Sequence, residues 1–455
     1  MSSAALQFDE RVPPGPMDPG EADRWNHTRM RRRLLYSEHR AELERRLEKH
    51  IGPVRKQAWG PVDCSANPYL SLWETAARLY SEAPALTGNP ELLDALDHAG
   101  LWSLMQRQQR DTLGLREMGL RVDIIDGQPV FSPVFADLLE GSPDPKNPGQ
   151  LLRAVETRWT DGIGWTRCVY DVTGVPSYRA IALDGSDVSE AVLGGTFVGD
   201  GYPFRVDGLP VVPIVIYHAA ETSRLWDAFA GAEIVEGSWM LGIFRTYFGH
   251  VVRNCAWSQR YAVGVDVGGA DVMTGEGSGG ARREVTTDPA TVTMFNAAED
   301  GGQPLIGQWA PPILPDTLIG AIARYEEMLV ESAGLRLDVT RQSSDIRSGY
   351  SLAVARESLR EAQRVYEPLF RRSDLMLLRL TAGLMGLDPG DLSISYRGLP
   401  ESPVERSARV AEVLQLRQAG LISLQAAYER LNPDLSPDQI AADLAQIGAS
   451  AQGSA

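Results

Sequence analysis

The chain has 455 residues and a mass of 49.7 kDa, several times what one hydrophobic core requires, so more than one domain is expected. Its 43% apolar and 23% charged residues exclude a largely disordered or fibrous chain. No run of eighteen apolar residues occurs, so no membrane span is expected, and residues 1–10 lack the features of a secretory signal. The widely spaced Cys64, Cys168 and Cys255 predict buried free thiols in a reducing compartment.

Formal charge is unevenly distributed along the chain. The net charge is -16 and the pI is about 4.9, the opposite balance from a typical sequence-reading DNA-binding protein. Residues 24–60 hold 11 basic and 4 acidic residues, so the remainder carries a net charge of -23. This basic arm therefore either meets a partner of its own or is a solvated helix face.

Several chemistries lack their sequence signatures. None of the three lysines follows a phosphate-binding glycine loop, and no Gly-x-Ser-x-Gly, Cys-x-x-Cys or His-x-x-x-His pattern occurs. Carboxylate pairs such as Glu233 and Glu236 could perform acid–base work, but with 60 acidic residues such pairs are expected by chance. The sequence therefore predicts no enzyme, no metal site and no cofactor.

The N-terminal part begins with a segment rich in proline, glycine and acidic residues. Residues 1–22 are therefore predicted to be disordered or an extended strap, and residues 24–49 to be one charged helix. The apolar stripe of this helix consists of Leu34, Leu35, Leu43 and Leu47. Residues 67–126 predict short helices and turns that pass into a strand near residues 118–124.

The next hundred residues carry strand signals. Residues 141–149 predict a loop because they contain three prolines and two glycines. Alternating or apolar runs bounded by turn residues follow at 151–160, 166–171, 177–183 and 211–217. Together they indicate a mixed α+β body.

Two helical segments then enclose a small acidic module. Residues 222–263 lack proline and predict a nearly continuous helix, and residues 263–311 are rich in glycine, with 2 basic and 7 acidic residues. Strand-like pieces in this module lie at 263–267, 283–286 and 291–295. Asp316 is predicted to cap a second helix that extends to Ala333 and stops at Gly334.

A polar loop at residues 336–348 separates this helix from a much longer one, Ser351 to Met385, which Pro368 should kink or split. A short strand at residues 393–396 and a helical tail from Pro403 complete the chain. The tail contains a turn and cap at residues 420–423, and its last helix is predicted at 437–447.

In this order of elements the chain resembles the portal (head-to-tail connector) proteins of tailed bacteriophages. Residues 316–329 resemble the second stem helix, and residues 343–353 resemble the Ser/Gly loop that leads into the long wing helix. Ile394-Ser-Tyr, the run 420–431 and Leu435-Ser-Pro-Asp resemble the strand and crown helices that end a portal chain. The likeness covers residues 60–455 in element order, each motif being short.

The resemblance implies a portal-type α+β fold with an α/β wing, a two-helix stem, a small β-containing clip and a helical crown. The implied segments are an N-terminal arm with a basic helix (1–58), the first part of the wing (59–235), stem helix 1 (236–262), the clip (263–311), stem helix 2 (312–334), the channel or tunnel loop (335–350), the second part of the wing (351–398) and the crown (399–455).

The implied function is a dodecameric ring at one capsid vertex of the virion, assembled in the host cytoplasm. It conducts double-stranded DNA during packaging and ejection, without sequence specificity. The implied partners are other copies of the chain, the large terminase motor, adaptor or neck proteins and the major capsid protein, with no membrane. The basic arm is expected to contact capsid or scaffold protein rather than nucleic acid.

The implied sites are a channel loop and a docking surface on the clip. The channel-loop residues are Arg336, Arg341, Ser343, Ser344, Asp345 and Arg347. The clip residues are Asp266, Asp271, Glu276, Arg282, Arg283 and Glu284. A strongly acidic ring would not bind DNA tightly, since phosphate neutralisation by Lys and Arg adds affinity, and a loop of both charge signs would touch the backbone transiently.

Other interpretations stay open at this stage. The loop arginines could pair with neighbouring carboxylates and never face DNA. The clip could be an ordinary hairpin insertion. The whole chain could instead be another virion component, such as an adaptor or minor capsid protein, or a soluble hydrolase that uses carboxylates.

Overall fold

We describe the protein from a computed structural model. The described residues are 13–53, 61–65, 67–222, 224–254, 259–263, 292–295, 305–309, 315–335, 349–397, 403–432 and 439–445. Helices and largely antiparallel strands both contribute to it, which confirms the α+β class. Within these residues no helix is both long enough and apolar enough to cross a membrane.

The helices, in chain order, are α1 (Ala22–Leu35), α2 (Arg40–Ile51), α3 (Pro68–Ala76), α4 (Pro90–His98), α5 (Leu101–Leu115), α6 (Ser189–Leu193), α7 (Ala232–Asn254), α8 (Pro315–Ser332), α9 (Gly349–Met385), α10 (Pro403–Gln418) and α11 (Leu424–Leu431). The strands are β1 (Ala85–Thr87), β2 (Glu117–Ile125), β3 (Gln128–Phe135), β4 (Leu139–Asp144), β5 (Asn147–Thr160), β6 (Gly164–Asp171), β7 (Ser177–Ala182), β8 (Phe197–Val198), β9 (Arg205–Val206), β10 (Leu209–Pro210), β11 (Ile214–His218), β12 (Gln259–Val263), β13 (Val292–Phe295), β14 (Leu305–Trp309) and β15 (Ser393–Ser395).

Two antiparallel sheets form the β part of the body. The first has the order β11-β2-β3, and the second is the meander β4-β5-β6-β7-β8. A two-residue turn joins β2 to β3: Asp126 has φ +52° and Gly127 has φ +76°. Positive φ at both central residues is the type I′ geometry that matches the twist of a hairpin.

The loop predicted at residues 141–149 is wrong, because most of this segment belongs to the β4–β5 hairpin. Leu139 pairs with Glu156, and the pairing continues to Asp144 and Asn147, with register shifts around Pro143. β4 is the edge strand of its sheet. Proline has no backbone N–H to donate to a neighbouring strand, but a residue at a sheet edge or in a bulge does not need one. The prolines therefore did not prevent strand formation here.

A buried ion pair joins the two sheets. Nη1 of Arg121 on β2 donates to both carboxylate oxygens of Glu156 on β5, at 2.6 and 2.5 Å. Each side chain is about nine-tenths buried, and Cys168 is also buried nearby in the sheet core. Cys64 is half-buried and Cys168 buried, both as free thiols; Cys255 lies outside the described residues.

The helices and the three-stranded sheet share a larger core. The four predicted leucines, Leu34, Leu35, Leu43 and Leu47, are all buried in it. The predicted single helix over 24–49 is wrong, because the chain forms α1 and α2 with a break between them, where Ser37 has φ +59°. The break lets both helices turn their apolar stripes toward the same core.

The strap prediction for residues 1–22 holds for part of its length. Residues 13–18 form no helix or strand, whereas Pro19–Glu21 form a 3₁₀ helix and Ala22 begins α1; residues 1–12 lie outside the described part of the chain. The backbone N–H groups of Met17 and Asp18 donate to the Glu140 carboxylate at 2.6 and 2.9 Å. Arg167 donates to the Gly15 carbonyl at 3.1 Å, so the strap lies on the five-stranded sheet.

The long helix α9 is continuous from Gly349 to Met385, so the predicted split at Pro368 is wrong. Leu359 before Pro368 and Phe370 and Leu377 after it are all buried in the same core. This shared packing offsets the loss of the intrahelical hydrogen bond that Pro368 cannot make. β15, predicted at 393–396, is confirmed at Ser393–Ser395, where it pairs with β1.

The tail is helical as predicted. α10 begins at Pro403, Gly420 turns with φ +72°, and the Ser423 side chain caps α11 by accepting from the Ala426 N–H at 3.1 Å. Residues 439–445, inside the predicted last helix, are also helical.

Candidate channel-forming hairpin

α7 and α8 pack against each other in antiparallel directions. Gly237 contacts Leu329 near one end of the pair, and the Phe244 and Tyr325 rings meet edge to face at 5.3 Å further along. Arg245 and Glu326 form an ion pair at 3.5 Å. From the first contact to the others, the residue number therefore rises along α7 and falls along α8, as in an antiparallel pair.

The antiparallel pairing continues from the helices into strands. β12 follows α7 and pairs with β14, which precedes α8, so that Gln259 faces Trp309 and Val263 faces Leu305. β13 pairs with β12 in parallel and completes a three-stranded sheet. α7, β12, β14 and α8 together form what we call the helix–strand hairpin; the 23 residues of α7 alone span about 34 Å.

The predicted boundaries of this hairpin need correction. Residues 222–263 are not one helix: α7 begins at Ala232 and ends at Asn254, and 259–263 form β12. Asp316 is not the N-cap of α8, because the helix already begins at Pro315. Proline suits the first helical position, where its missing N–H has no intrahelical partner. Gly334, with φ +75°, lies just beyond the helix end as predicted.

The first half of α7 is embedded in the body. Trp239 is 1% exposed, and Leu43 of α2 packs against Gly242. The Thr246 hydroxyl accepts the Asp63 N–H at 3.0 Å. The first half of α7 therefore lies between α2 and α8, which contact different faces of it.

The second half of α7 is only partly covered by the rest of the described chain, with Tyr247 packed against the edge of the core. Beyond Thr246, no described side chain of α7 is fully buried, although Tyr247, Phe248, Val251 and Val252 are apolar or aromatic. On α8, Ile319 in the distal half is 49% exposed, and Met328, beside Leu329 at the root, is 53% exposed. Large apolar side chains that are exposed along a helix pair indicate an interaction surface.

Charge on α8 is predominantly acidic. The helix carries Arg324 and four carboxylates: Asp316, Glu326, Glu327 and Glu331. Arg324 forms an ion pair with Glu327 in the next turn of the helix. The net charge of the helix is therefore negative, and its arginine is already engaged by a carboxylate.

The residues predicted for the channel loop and the clip docking surface all lie outside the described part of the chain. Arg336, Arg341, Ser343, Ser344, Asp345 and Arg347 lie outside the described residues, as do Asp266, Asp271, Glu276, Arg282, Arg283 and Glu284. Among the clip strands, the prediction at 291–295 is confirmed by β13, whereas 283–286 lie outside the described residues.

The carboxylates considered for catalysis do not form a site together. Glu236 is ion-paired with Arg46 at 2.5 Å, and Glu233 is exposed on the first turn of α7. Trp239 packs in the core, and the Phe244 ring packs against Tyr325.

A buried polar cluster escaped sequence reasoning. Asp374 of α9, 1% exposed, accepts hydrogen bonds from the hydroxyls of Tyr80 (2.7 Å), Tyr217 (2.8 Å) and Tyr396 (2.5 Å). Burial raises the pKa of Asp374 to about 6, although the three hydrogen bonds oppose the shift. No spacing pattern could reveal the cluster, since Tyr80 and Asp374 are 294 residues apart.

Comparison with known proteins gives structural neighbours but no family. No protein-family model and no curated protein sequence matches the chain. It is similar to a chain in the neck of a native gene transfer agent particle computed with C12 symmetry (TM-score 0.48, 14% identity, 82% of this chain and 91% of the other covered). It is also similar to a chain in the virion of a native gene transfer agent particle (TM-score 0.46, 15% identity, 81% and 90% covered).

A third similar chain lies in the neck of an empty gene transfer agent particle computed with C6 symmetry, with a TM-score of 0.46, 14% identity and coverage of 81% and 90%. Identities of 14–15% and TM-scores below 0.5 assign no function to this chain.

Proposed function

We propose that the chain is a portal-type protein, a non-enzymatic subunit of a closed ring through which double-stranded DNA passes. Twelve copies at one capsid vertex of a virion would form the conduit for packaging and ejection. The large terminase motor and later the adaptor or neck proteins would dock on the ring, and the major capsid protein would surround it.

The observation that carries this proposal is the helix–strand hairpin. A hairpin two helices wide buries one face of each helix against the other and leaves the remaining faces open. Ile319 and Met328 are about half exposed on α8, and burying a large apolar side chain contributes about 1.5–3 kcal/mol. Neighbouring copies of the same hairpin would provide that burial.

The contact between neighbours would be head to tail. α2 covers the α7 side of the hairpin root through Leu43 and Arg46, whereas α8 forms the other side and exposes Met328 there. The two flanks of the hairpin root are therefore different surfaces. Contact between two different surfaces generates a closed ring when the rotation between copies closes.

Charge supports a conduit rather than a DNA-binding surface. Arg324 and Arg245 each contact a carboxylate of α8, Glu327 and Glu326 respectively. A wall of this kind releases few counterions from DNA phosphates, so it adds little affinity and little friction to a moving duplex. The channel loop (335–350) and the clip (263–311) remain predictions of the sequence.

Mass photometry of the purified chain tests this proposal. The wild type should form one large oligomer, and replacing both Ile319 and Met328 with Glu should shift it to monomers, because charge would then face the apolar neighbour. The matched control is Val175→Glu, which changes a side chain that is 70% exposed on the β6–β7 turn and should leave the oligomer intact. A wild-type chain that stays monomeric at every concentration and salt would refute the proposal.

A further inference from the structure

The segment that leads into α7 has little backbone structure of its own. Between His218, the end of β11, and Ala232, the start of α7, the described residues form neither helix nor strand. We call residues 224–231 the connector. Its own backbone contributes the Ala230 N–H to Asp227 carbonyl hydrogen bond at 3.3 Å, and Gly231 has φ +70° directly before the helix.

One face of α1 contacts the connector at three successive positions. The Arg24 guanidinium lies over the Trp226 ring at 4.1 Å, and the His27 and Phe229 rings meet at 4.6 Å. Nη2 of Arg31 donates to the Ala230 carbonyl at 2.5 Å. Residues 24, 27 and 31 share one face of a helix, so α1 follows the connector along its length.

Arginines of α1 also anchor this helix to the body. Arg24 donates to the carbonyls of Ala136 and Leu139 at 2.6 and 2.8 Å, and Arg32 pairs with the buried Asp137 at 2.9 Å. Arg24 is 5% and Arg31 is 1% exposed. Their charges are therefore engaged inside the fold.

The start of β2 contacts the connector as well. Glu117, fully buried, accepts the backbone N–H of Asp227, and Nη2 of Arg116 contacts the Asp227 carboxylate at 3.3 Å. Arg116 adopts φ +80°, which is rare for a residue with a side chain and persists where surrounding contacts impose it.

We infer that α1 is a positioning helix, which sets the direction of α7 relative to the sheets by holding the connector through Arg24, His27 and Arg31. The role of α7 in a DNA channel rests on the proposed function, whereas the positioning contacts do not. The α1 part of the basic arm therefore contacts the connector, which leads into α7 of the same chain. Its buried Arg24 and Arg31 are therefore not available as a surface for capsid or scaffold protein.

Hydrogen–deuterium exchange of the full chain tests this inference. In Arg31→Met the amides of residues 224–236 should lose protection by at least about tenfold, while the β5 and β6 amides keep theirs, because local opening is measured segment by segment. The matched control is Arg33→Met on the same helix, where the side chain is exposed and exchange should be unchanged.

A second variant distinguishes a local loss of protection from unfolding of the whole chain. Phe229→Ala removes a ring that is already 54% exposed and should raise exchange in the same segment to a smaller extent. The inference is overturned if Arg31→Met and Arg33→Met give the same pattern, or if protection falls equally in the connector and in β5 and β6. If the chain is monomeric but Arg31→Met raises exchange only in the connector, the ring is refuted and the positioning role stands. If the chain forms rings but Arg31→Met leaves exchange in the connector unchanged, the positioning role is refuted and the ring stands.

Discussion

Gly237 of α7 lies so close to Leu329 of α8 that a methyl group on Gly237 would overlap the leucine side chain. The two helices therefore meet at a point where one of them has no side chain. A second glycine of α7, Gly242, gives Leu43 of α2 a similar close approach on another face. Glycine at these positions sets the helix spacing at the root of the hairpin.

Gly237→Ala should destabilise the chain. Overpacking costs about 1–3 kcal/mol, and the better helix propensity of alanine offsets up to about 1 kcal/mol of that. The control is Gly249→Ala in the same helix, where a methyl group meets nothing within 4 Å and should stabilise slightly. Thermal unfolding of both variants is the measurement, and equal midpoints would contradict the close packing.

Asp374 should make stability fall as pH rises from about 4 to about 6. Its pKa is raised from 3.8 to about 6, so the folded chain holds this proton more tightly than the unfolded chain. A shift of about two units corresponds to about 3 kcal/mol of stability that is present at low pH and lost above the folded pKa.

The Asp374→Asn variant isolates this effect, because an amide does not titrate. The difference in unfolding free energy between wild type and variant should change between pH 4 and 6 and be flat above about pH 7. Asp97→Asn, on the exposed surface of α4, serves as the control. A difference that stays constant across the acid range would show that Asp374 is not the titrating group.

Arg121→Met should be among the most destabilising single changes in the β part of the body. It leaves Glu156, 6% exposed, without its charged partner, which typically costs about 3–5 kcal/mol. Adding Glu156→Gln removes the unpaired charge, so the double variant should recover much of the loss in denaturant unfolding. Equal instability of the single and double variants would argue against a buried ion pair.

Binding of double-stranded DNA should be weak, independent of sequence and only mildly sensitive to salt. If fewer than about three phosphates are neutralised, the plot of log affinity against log salt should have a slope shallower than about -3. Fluorescence anisotropy with two unrelated duplexes measures both properties. A steep slope, or a preference for one duplex, would point to a DNA-binding surface instead of a conduit.

Local chain signals predicted several elements correctly. Gly334 marked the end of α8, Ser423 capped α11, and the leucine stripe of α1 and α2 proved to be buried. These features depend on residues a few positions apart, where capping and helical periodicity act.

Long-range packing accounts for what sequence reasoning missed. Pro143 indicated a loop, yet it lies in an edge strand. Pro368 indicated a kink or a split, yet α9 is not split there and both of its halves pack on one core. The arginines of α1 suggested a partner-binding arm, although Arg24 and Arg31 are bonded to carbonyls more than a hundred residues away. Tertiary contacts of this kind leave no periodic trace in the sequence.

Electron microscopy of the purified full-length chain tests the central claim most directly. The account predicts closed rings with an axial opening, lined by α7 and α8 of successive copies, with Ile319 and Met328 covered by a neighbour. Particles in which α7 and α8 are covered within a single copy, with no neighbouring subunit and no axial opening, would contradict it.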